Sequence, residues 1–344
     1  MLKVRKEGII LRPTKLKFEN RAVLNPTCFQ KGDYVHMFYR AVRHDKVSSI
    51  GYCKLKGPLK VVERAKQPVL YPEFNYEKKG LEDPRITFLN NKYYLFYTVY
   101  DGYNARVAYS LSEDMKNFKK QRVITPNITY DKAESIFRHS RTKHGKLKDL
   151  YFFFESYYTD KVGKDVLLWE KDIALFPEKI GGKHALLHRV LPDIQVIYFD
   201  DFRDLTLKYW KNYLRHLPEY IVLASKHWYE SRNIGGGATP IKTNKGWLLI
   251  YHAVEDSDKG KVYHACAALL DKKNPLKLIG RLNYPLFSPE EPWEKKGDVG
   301  NVVFPTGTAI FGKKLYIYYG AADTRIAVAS VDLSGLLTEL LKNK

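Results

Sequence analysis

Two adjacent carboxylates, a proline and an arginine occupy positions 82–85, directly before a run of aromatic residues that predicts a β-hairpin. Pro84 fixes its own φ and disfavours the right-handed α region for Asp83, so we expect the Asp83 carboxylate to be held on a stiff backbone. Glu82 and Arg85 flank it with opposite charges. Taken alone, the segment fits either an ordinary charged turn or a catalytic acid fixed at the mouth of a pocket.

Side chains that suit an anion gather in later segments of the chain. Arg and Lys bind phosphate through forked or point-charge contacts, and His or Tyr can complete the shell. The candidates are Lys171, Lys179, Lys183, His188, Arg189, His252 and Tyr263. Each one taken singly is explained equally well as a solvated lysine or a core histidine, so only their combination indicates a phosphate site.

Polar residues also stand directly after five aromatic-rich strand segments. They are Arg40 and Arg43, Tyr100 and Asp101, Arg189, His252, and Asp323. If the five segments converge on one axis, as the inner strands of a propeller do, these side chains meet at a single site.

Other kinds of chemistry fit the sequence less well. The segment NIGGGATP lacks the Gly-Lys-Ser/Thr of a phosphate-binding loop, so tight loop geometry explains its glycines better. His184 and His188 are four residues apart, but they lie in a predicted strand without an HExxH pattern, so we expect no metal site. No Ser-His-Asp or Cys-His arrangement stands out, and we expect no organic cofactor.

A repeated β unit is the main signal for the fold. Short strands rich in Tyr, Phe, Val and Ile recur in five similar units, centred near Tyr39, Tyr97, Leu187, Tyr251 and Tyr318. Five such units favour an all-β, five-bladed propeller, and a large β-sandwich is the alternative. The second interval is the longest, which predicts an insertion at about 129–169, read as an extra hairpin.

Two segments depart from the β pattern. Residues 333–341 place five leucines on one helical face, which predicts a short C-terminal helix. Residues 205–217 suit either a short helix or a long loop. We find no linker or composition break, so we expect residues 1–344 to form a single domain that carries the insertion.

Composition limits the partners that the protein can have. The net charge of +20 favours anions, but the 58 Lys and Arg residues are spread along the chain without a basic block or a basic amphipathic helix. Nucleic acid and membrane are therefore not expected as partners. Three scattered cysteines and no signal-like or membrane-spanning apolar run favour a reducing, cytoplasmic location.

Several motifs together resemble glycoside hydrolase family 130, the β-mannoside phosphorylases. They occur in order over about residues 20 to 333: NRAVLNPTCF, FYRAV, GLEDPRITF, KDIALFPEKIGGKHALLHR, GGGATPI, GWLLIYHAV, YHACAALLD, GNVVFPTG and YYGAADT. The resemblance implies a five-bladed propeller. It also implies an inverting reaction in which inorganic phosphate attacks a β-mannoside and yields α-mannose 1-phosphate and a shortened sugar.

The resemblance also implies roles for individual residues. Asp83 matches the general acid, which in many members is thought to act through the 3-hydroxyl of the bound mannose. Four residues match positions that hold phosphate: Lys171, Arg189, His252 and Tyr263. Asn25, Arg40 and Asp323 match positions near the mannosyl unit, and we add Arg43 to this substrate-binding set because it follows the same strand as Arg40.

A phosphorylase and a hydrolase of the same family remain as alternatives. An inverting hydrolase needs a second carboxylate to activate water, whereas phosphate is already an anionic nucleophile and needs cations to hold it. One acid with a basic cluster therefore favours phosphorolysis. Lys171-Asp172 stands where some members have Arg-Asn. The substrate is left open between a short mannooligosaccharide (β-1,2, β-1,3 or β-1,4) and a mannosyl-glucose disaccharide, as are the acceptor sugar and a homo-oligomeric state.

Overall fold

The computed structural model describes residues 2–139 and 147–342. Strands make up 47% of the structure and helices 19%, so the protein is mostly β where the sequence predicted an all-β fold. The strands are β1 Arg5–Leu11, β2 Ala22–Lys31, β3 Tyr34–Val42, β4 Ser48–Lys56, β5 Lys60–Arg64, β6 Gly80–Leu89, β7 Lys92–Tyr100, β8 Ala105–Ser112, β9 Lys119–Val123, β10 Lys171–Leu175, β11 His184–Arg189, β12 Ile194–Phe199, β13 Ile221–Leu223, β14 Asn233–Gly236, β15 Ile241–Lys242, β16 Trp247–Ser257, β17 Gly260–Leu270, β18 Leu278–Arg281, β19 Val303–Phe311, β20 Lys314–Ala321 and β21 Arg325–Asp332.

The strands pair in sequential antiparallel groups. The groups are β2 to β5, β6 to β9, β10 to β13, β14 to β18, and β19 to β21 with the N-terminal strand β1 added beside β21. The first two groups count as one eight-stranded sheet because Ser48 and Gly80 pair in parallel at one position. Because β1 pairs with β21, strands from the two ends of the chain share a sheet.

The first strands of successive groups contact one another. The Thr27 hydroxyl on β2 accepts from the Ile86 amide on β6 at 3.0 Å, and the Thr306 hydroxyl on β19 donates to the Pro26 carbonyl on β2 at 2.6 Å. Strand β10 packs against β6 and β14, and β19 packs against β16 and β17. These contacts do not establish a five-bladed propeller, which stays a prediction.

The repeat positions identified in the sequence lie at equivalent places. Tyr39, Tyr97, Leu187, Tyr251 and Tyr318 lie on β3, β7, β11, β16 and β20, each the strand that pairs with the first strand of its group. All five are almost fully buried, because alternate residues of these central strands face the packing between sheets. The aromatic repeats thus mark the core of each group.

The predicted extra hairpin at 129–169 is wrong: the segment contains helices. The helices of the protein are α1 Tyr130–Arg138, α2 Asp149–Val162, α3 Leu207–Arg215, α4 Pro292–Lys295 and α5 Leu333–Lys342. The run DLYFFFESYY suggested a strand because it is rich in aromatics, but Tyr151 and Phe154 are buried at helical spacing. Residues 140–146 of the insertion lie outside the described residues.

The other helix predictions agree with the structure. Of the two alternatives for residues 205–217, the helix is right: α3 begins after Thr206, whose hydroxyl accepts from the Tyr209 amide. The C-terminal helix α5 buries Leu336, Leu337 and Leu340, as the leucine spacing predicted. None of the helices in the described ranges has the length and apolar character needed to cross a membrane.

Candidate active site

A cavity of about 320 Å³ collects eight of the nine predicted site residues. They are Asn25, Arg40, Asp83, Lys171, Arg189, His252, Tyr263 and Asp323. Residues from each of the five strand groups contribute to its lining, and so do residues of the insertion. The ninth, Arg43, lies outside this cavity, because it pairs with the exposed Asp45 at 2.5 Å and faces a different cavity beside Leu16.

Asp83 is mounted inside a strand and not in a turn before it. The pairing of β6 with β7 shifts register between Glu82 and Arg85, and Asp83 has a φ of 50° in this bulge. Proline at position 84 excludes the right-handed α region, as expected, but the backbone adopts the left-handed region instead of an extended one. The bulge turns the Asp83 side chain into the cavity.

A buried arginine fixes this bulge from behind. Arg85 is 1% exposed; its Nη1 donates to the carbonyls of Asp83 and Pro84 at 3.1 and 3.0 Å, and its Nε donates to the Gly237 carbonyl at 2.5 Å. The carbonyl groups that a bulge leaves unpaired are thereby satisfied. Arg85 positions the acid and links β6 to the loop after β14.

The same backbone device recurs on two neighbouring strands. Asn25 on β2 has a φ of 47° and Asp172 on β10 a φ of 58°, and each lies where the strand pairing shifts register. Asn and Asp tolerate this region better than other non-glycine residues. Asn25 Nδ2 donates to Asp83 Oδ1 at 2.8 Å, so two bulged strands meet at the acid.

Glu82, which the sequence analysis did not assign to the site, links two cations. Its carboxylate accepts from Arg40 Nη2 at 2.6 Å and from Lys171 Nζ at 3.3 Å. Burial alone would raise the pKa of Glu82, but the Arg40 and Lys171 charges outweigh burial and leave that pKa lowered. Glu82 therefore stays ionised and holds Arg40 and Lys171 in place beside Asp83.

Asp323 is a second carboxylate at the cavity, with a different environment. Burial raises the pKa of Asp323 to about 6; the Arg40 charge lowers it and the Asp83 charge raises it further. Asp323 has a φ of 50° in the turn between β20 and β21. It can change its charge within the physiological pH range.

The predicted phosphate-binding groups lie close together in the cavity. Lys171 and Arg189 face each other across the β10–β11 pair, and Arg189 Nη1 lies 3.5 Å from His252 Nε2. The pKa of His252 is lowered to about 3, mainly by burial; the Asp172 charge opposes this shift and the Arg189 and Arg85 charges add to it, so the imidazole is neutral. Burial raises the pKa of Tyr263, so its hydroxyl keeps its proton.

A buried network behind the cavity positions both cationic strands. His188 Nδ1 lies 2.8 Å from Glu170 Oε2 and its Nε2 lies 2.6 Å from the Tyr213 hydroxyl. Because Glu170 precedes Lys171 and His188 precedes Arg189, this network locks β10 to β11 next to the cavity. His188 is fully buried and does not face the ligand site that the sequence suggested for it.

The remaining basic candidates lie elsewhere. Lys179 and Lys183 do not line the cavity, and Lys183 is exposed beside Asp200 at 3.5 Å. The combination that was predicted thus splits into a group at the cavity and a solvated group on the surface.

Part of the lining comes from the insertion, none of whose residues was predicted as a site residue. Tyr157 and Tyr158 of α2 and Trp169, just before β10, face the cavity and are half-buried; we call these three the aromatic cluster. Tyr158 and Trp169 have ring centroids 4.7 Å apart, and Lys171 Nζ lies 5.2 Å from the Trp169 ring. The aromatic cluster therefore adjoins the charged residues directly.

Several buried polar atoms of the cavity lack a hydrogen-bond partner among the described residues. They are Asn25 Oδ1, Asp172 Oδ2, Arg189 Nε, Asn233 Nδ2 and His252 Nδ1. Buried polar groups are normally paired, so such a concentration in one cavity indicates a polar ligand. Across residues 2–139 and 147–342, no group of three His, Cys, Asp or Glu side chains is arranged to hold a metal ion.

Comparison with known proteins agrees with this geometry. A family model described as beta-1,4-mannooligosaccharide phosphorylase matches residues 6–173 and 158–342. The beta-1,2-mannobiose phosphorylase of Thermoanaerobacter sp. (strain X514) is 36% identical over 94% of this chain and 94% of its own. The 1,2-beta-oligomannan phosphorylase of the same strain is 32% identical over 95% of this chain and 96% of its own.

A solved structure has the same fold over nearly the whole chain. The beta-1,2-mannobiose phosphorylase from Listeria innocua, in complex with beta-1,2-mannobiose, matches with a TM-score of 0.72. The match covers 98% of this chain and 99% of that chain at 22% identity.

Proposed function

The chain belongs to glycoside hydrolase family 130, and from this premise we propose that it is an inverting β-mannoside phosphorylase. The reaction takes a β-mannoside and inorganic phosphate to α-mannose 1-phosphate and a shortened sugar. One observation carries the proposal: the bulge-mounted carboxylate of Asp83 shares a cavity with Lys171, Arg189, a neutral His252 and a protonated Tyr263. We propose no metal or organic cofactor, and phosphate is the co-substrate.

Asp83 acts as the general acid for the leaving sugar. A positioned acid of this kind contributes typically 10²–10⁴-fold to the rate. Its Oδ1 is held by Asn25 at 2.8 Å and lies 3.7 Å from Arg40 Nη1, so Oδ2 is the oxygen that can face the substrate. Asn25, Arg40 and Asp323 surround this position and bind the mannosyl unit.

Phosphate is bound by the cations on β10 and β11. Lys171 and Arg189 offset its charge and fix it for attack on the anomeric carbon, while His252 and the Tyr263 hydroxyl supply hydrogen bonds. Inversion follows because the attacking phosphate and the leaving sugar lie on opposite faces of the mannosyl carbon. Water would need a general base for the same displacement. Asp172 and Asp323 also line the cavity, so phosphorolysis is favoured by the cations Lys171 and Arg189 and not by the lack of a second carboxylate.

We propose a β-1,2-linked mannoside as the substrate. The two relatives that match across almost the whole chain are both named for β-1,2-linked mannosides, whereas the family model has a β-1,4 name. The linkage is thus the finer part of the proposal, and the assay below tests it directly.

We also propose that the five strand groups are the blades of a propeller within a single domain. The contacts between the first strands of the groups support this arrangement, as does the pairing of β1 with β21, which brings together the two ends of the chain. A cytoplasmic location is proposed from the cysteine usage alone.

The test is an incubation with β-1,2-, β-1,3- and β-1,4-mannobiose, each with and without phosphate. We expect α-mannose 1-phosphate from the β-1,2 substrate only when phosphate is present. Free mannose in both conditions would instead identify a β-mannoside hydrolase. Product from another linkage would preserve the reaction but overturn the proposed substrate.

A further inference from the structure

A buried carboxylate lies inside the cluster that is proposed to bind an anion. Asp172 has a side chain only 2% exposed; its Oδ2 lies 3.0 Å from Arg189 Nη1 and 3.9 Å from His252 Nε2. Its Oδ1 lies 3.9 Å from Arg85 Nη2. A carboxylate repels an anion, so its presence at this place calls for a chemical reason.

Asp172 remains ionised in this environment. Burial alone would raise the pKa of Asp172, but the charges of Arg189 and Arg85 outweigh burial and keep that pKa below its usual value. The contact between Oδ2 and Arg189 is not aligned as a hydrogen bond, and Oδ2 has no donor among the residues that the structure describes. The Asp172 carboxylate thus lines the cavity as an ionised acceptor, and the described residues leave the hydrogen-bonding capacity of its buried Oδ2 unfilled.

The surrounding backbone holds this carboxylate in one position. Asp172 is the left-handed residue of the β10 bulge, and glycines of β14 lie against it. A Cβ on Gly235 would come within 2.5 Å of Asp172 Oδ2, and a Cβ on Gly236 within 2.9 Å of the Asp172 carbonyl oxygen. The glycine-rich segment that is not a phosphate-binding loop thus leaves space for the Asp172 side chain beside His252.

An ionised carboxylate accepts hydrogen bonds and donates none. Hydrogenphosphate has one hydroxyl that can donate, whereas sulfate near neutral pH has none. We propose that Asp172 makes the anion site selective for a protonated oxyanion: the hydroxyl of bound hydrogenphosphate donates to the Asp172 carboxylate, and sulfate is disfavoured because two acceptors would then face each other. This inference rests on the proposed phosphorylase function, since it takes phosphate as the ligand of the cluster.

The other phosphate oxygens keep their roles under this proposal. Lys171 and Arg189 contact unprotonated oxygens, one of which attacks the sugar. The contact to Asp172 fixes the rotation of the phosphate, so that its hydroxyl points away from the reacting carbon. Asp172 is thus a specificity residue that touches the co-substrate.

The wild-type protein tests the selectivity through matched anions. Arsenate carries a hydroxyl at about pH 8 and selenate does not, and both are mainly dianions of similar size there. We expect calorimetric titration without any sugar to give phosphate and arsenate affinities at least about tenfold above those of sulfate and selenate. Equal affinities of the protein for arsenate and for selenate would overturn the proposal.

The Asp172→Asn variant tests the residue itself. Its amide can donate to sulfate, so the ratio of phosphate affinity to sulfate affinity is expected to fall by about tenfold to a hundredfold. The ratio is the readout because removing a negative charge raises the affinity for every anion. Asp200→Asn, an exposed carboxylate outside the cavity, is the matched control and leaves the ratio unchanged.

The outcomes separate this proposal from the function on which it rests. An unchanged ratio in a folded Asp172→Asn variant would overturn the role of Asp172 while leaving phosphorolysis intact. If the variant fails to fold, the arsenate and selenate pair on the wild-type protein still decides. Selective anion binding without turnover of any mannoside would instead keep the anion selectivity and count against the proposed function.

Discussion

The cavity has two regions that are built in different ways. Its charged region, which we call the polar cluster, consists of side chains on or beside β-strands: Asn25, Arg40, Glu82, Asp83, Lys171, Asp172, Arg189, His252 and Asp323. Four of these nine are buried, namely Asn25, Glu82, Asp172 and His252, and most of the nine are tied to one another by ion pairs or hydrogen bonds. The aromatic cluster is half-exposed and comes from the insertion.

This contrast indicates a division of tasks. Bulged strands fix polar atoms to a single geometry, which a displacement at the anomeric carbon requires. Aromatic rings offer broad apolar faces that suit sugar rings of the leaving portion without fixing one atom. We therefore expect the polar cluster to control the chemistry and phosphate, and the aromatic cluster to control the acceptor sugar.

The largest effect is expected from Asp83→Asn. Removing the proton donor should lower kcat by about a thousandfold, because general acids contribute roughly 10²–10⁴-fold. Steady-state kinetics with β-1,2-mannobiose measure the loss, and thermal unfolding should show an intact fold. Asp200→Asn serves as the control, and turnover near the wild-type rate in Asp83→Asn would remove Asp83 as the acid.

A smaller and more selective effect is expected from Arg189→Lys. Lysine keeps the charge opposite Asp172 but loses the forked contact, so the KM for phosphate should rise about tenfold while the KM for mannoside stays nearly constant. Phosphate titrations at saturating mannoside measure this change. Lys183→Ala, on the same β-hairpin but outside the cavity, should leave both constants unchanged.

The aromatic cluster should show the opposite selectivity. Tyr158→Ala removes a ring that packs on Trp169, so the KM for the acceptor sugar in the synthetic direction should rise about three- to tenfold. The KM for α-mannose 1-phosphate should change little. Leu207→Ala alters an exposed apolar side chain that does not line this cavity, and an equal effect there would contradict the assignment.

The smallest effect is a pH dependence within the polar cluster. With a pKa of about 6, Asp323 is ionised above that pH and becomes protonated below it. If the ionised form binds the mannosyl hydroxyls, the KM for mannoside at saturating phosphate should rise about fourfold from pH 7 to pH 5.5. A pH–KM profile of Asp323→Asn should be flat across this range, and an unchanged slope would assign the titration to another group.

The raised pKa of Asp323 also makes the stability of the folded state depend on pH. Because the folded state raises the pKa of Asp323 from 3.8 to about 6, the folded chain binds this proton more tightly than the unfolded chain. The stabilising contribution of Asp323 is therefore present below about pH 4 and is lost as the pH rises through about 6.

The sequence allowed much of the polar cluster to be predicted. Asp83 stood out because it precedes a proline, and Arg40, Arg189, His252 and Asp323 stood out because they follow aromatic strands. These signals are local. A polar residue directly after an aromatic strand reaches the cavity where the strand groups converge. This prediction failed for Arg43, whose neighbour Asp45 in the turn draws it into an exposed ion pair, and for Tyr100 and Asp101, which do not line the cavity.

The rest depended on contacts that sequence patterns do not contain. A bulge at Asp83 or Asp172 follows from the register with the neighbouring strand, which hydrophobic alternation leaves undetermined. Residues of α2 were predicted as a strand because an uninterrupted aromatic run fits both the helical and the strand periodicity. In the helix, the Tyr151 hydroxyl donates to Asp193 Oδ2 at 3.1 Å, a long-range contact that the sequence pattern does not contain. Because of that wrong prediction, no residue of the aromatic cluster was assigned to the site.

The most direct test of the division of tasks is the double variant Arg189→Lys/Tyr158→Ala, compared with both single variants in the synthetic direction. The measurement is kcat/KM for α-mannose 1-phosphate and for the acceptor sugar in all four proteins. If the two clusters act independently, the free-energy effects add to within about 0.5 kcal/mol, and each variant affects mainly its own substrate. A strong interaction energy, or equal losses for both substrates in each single variant, would contradict the account.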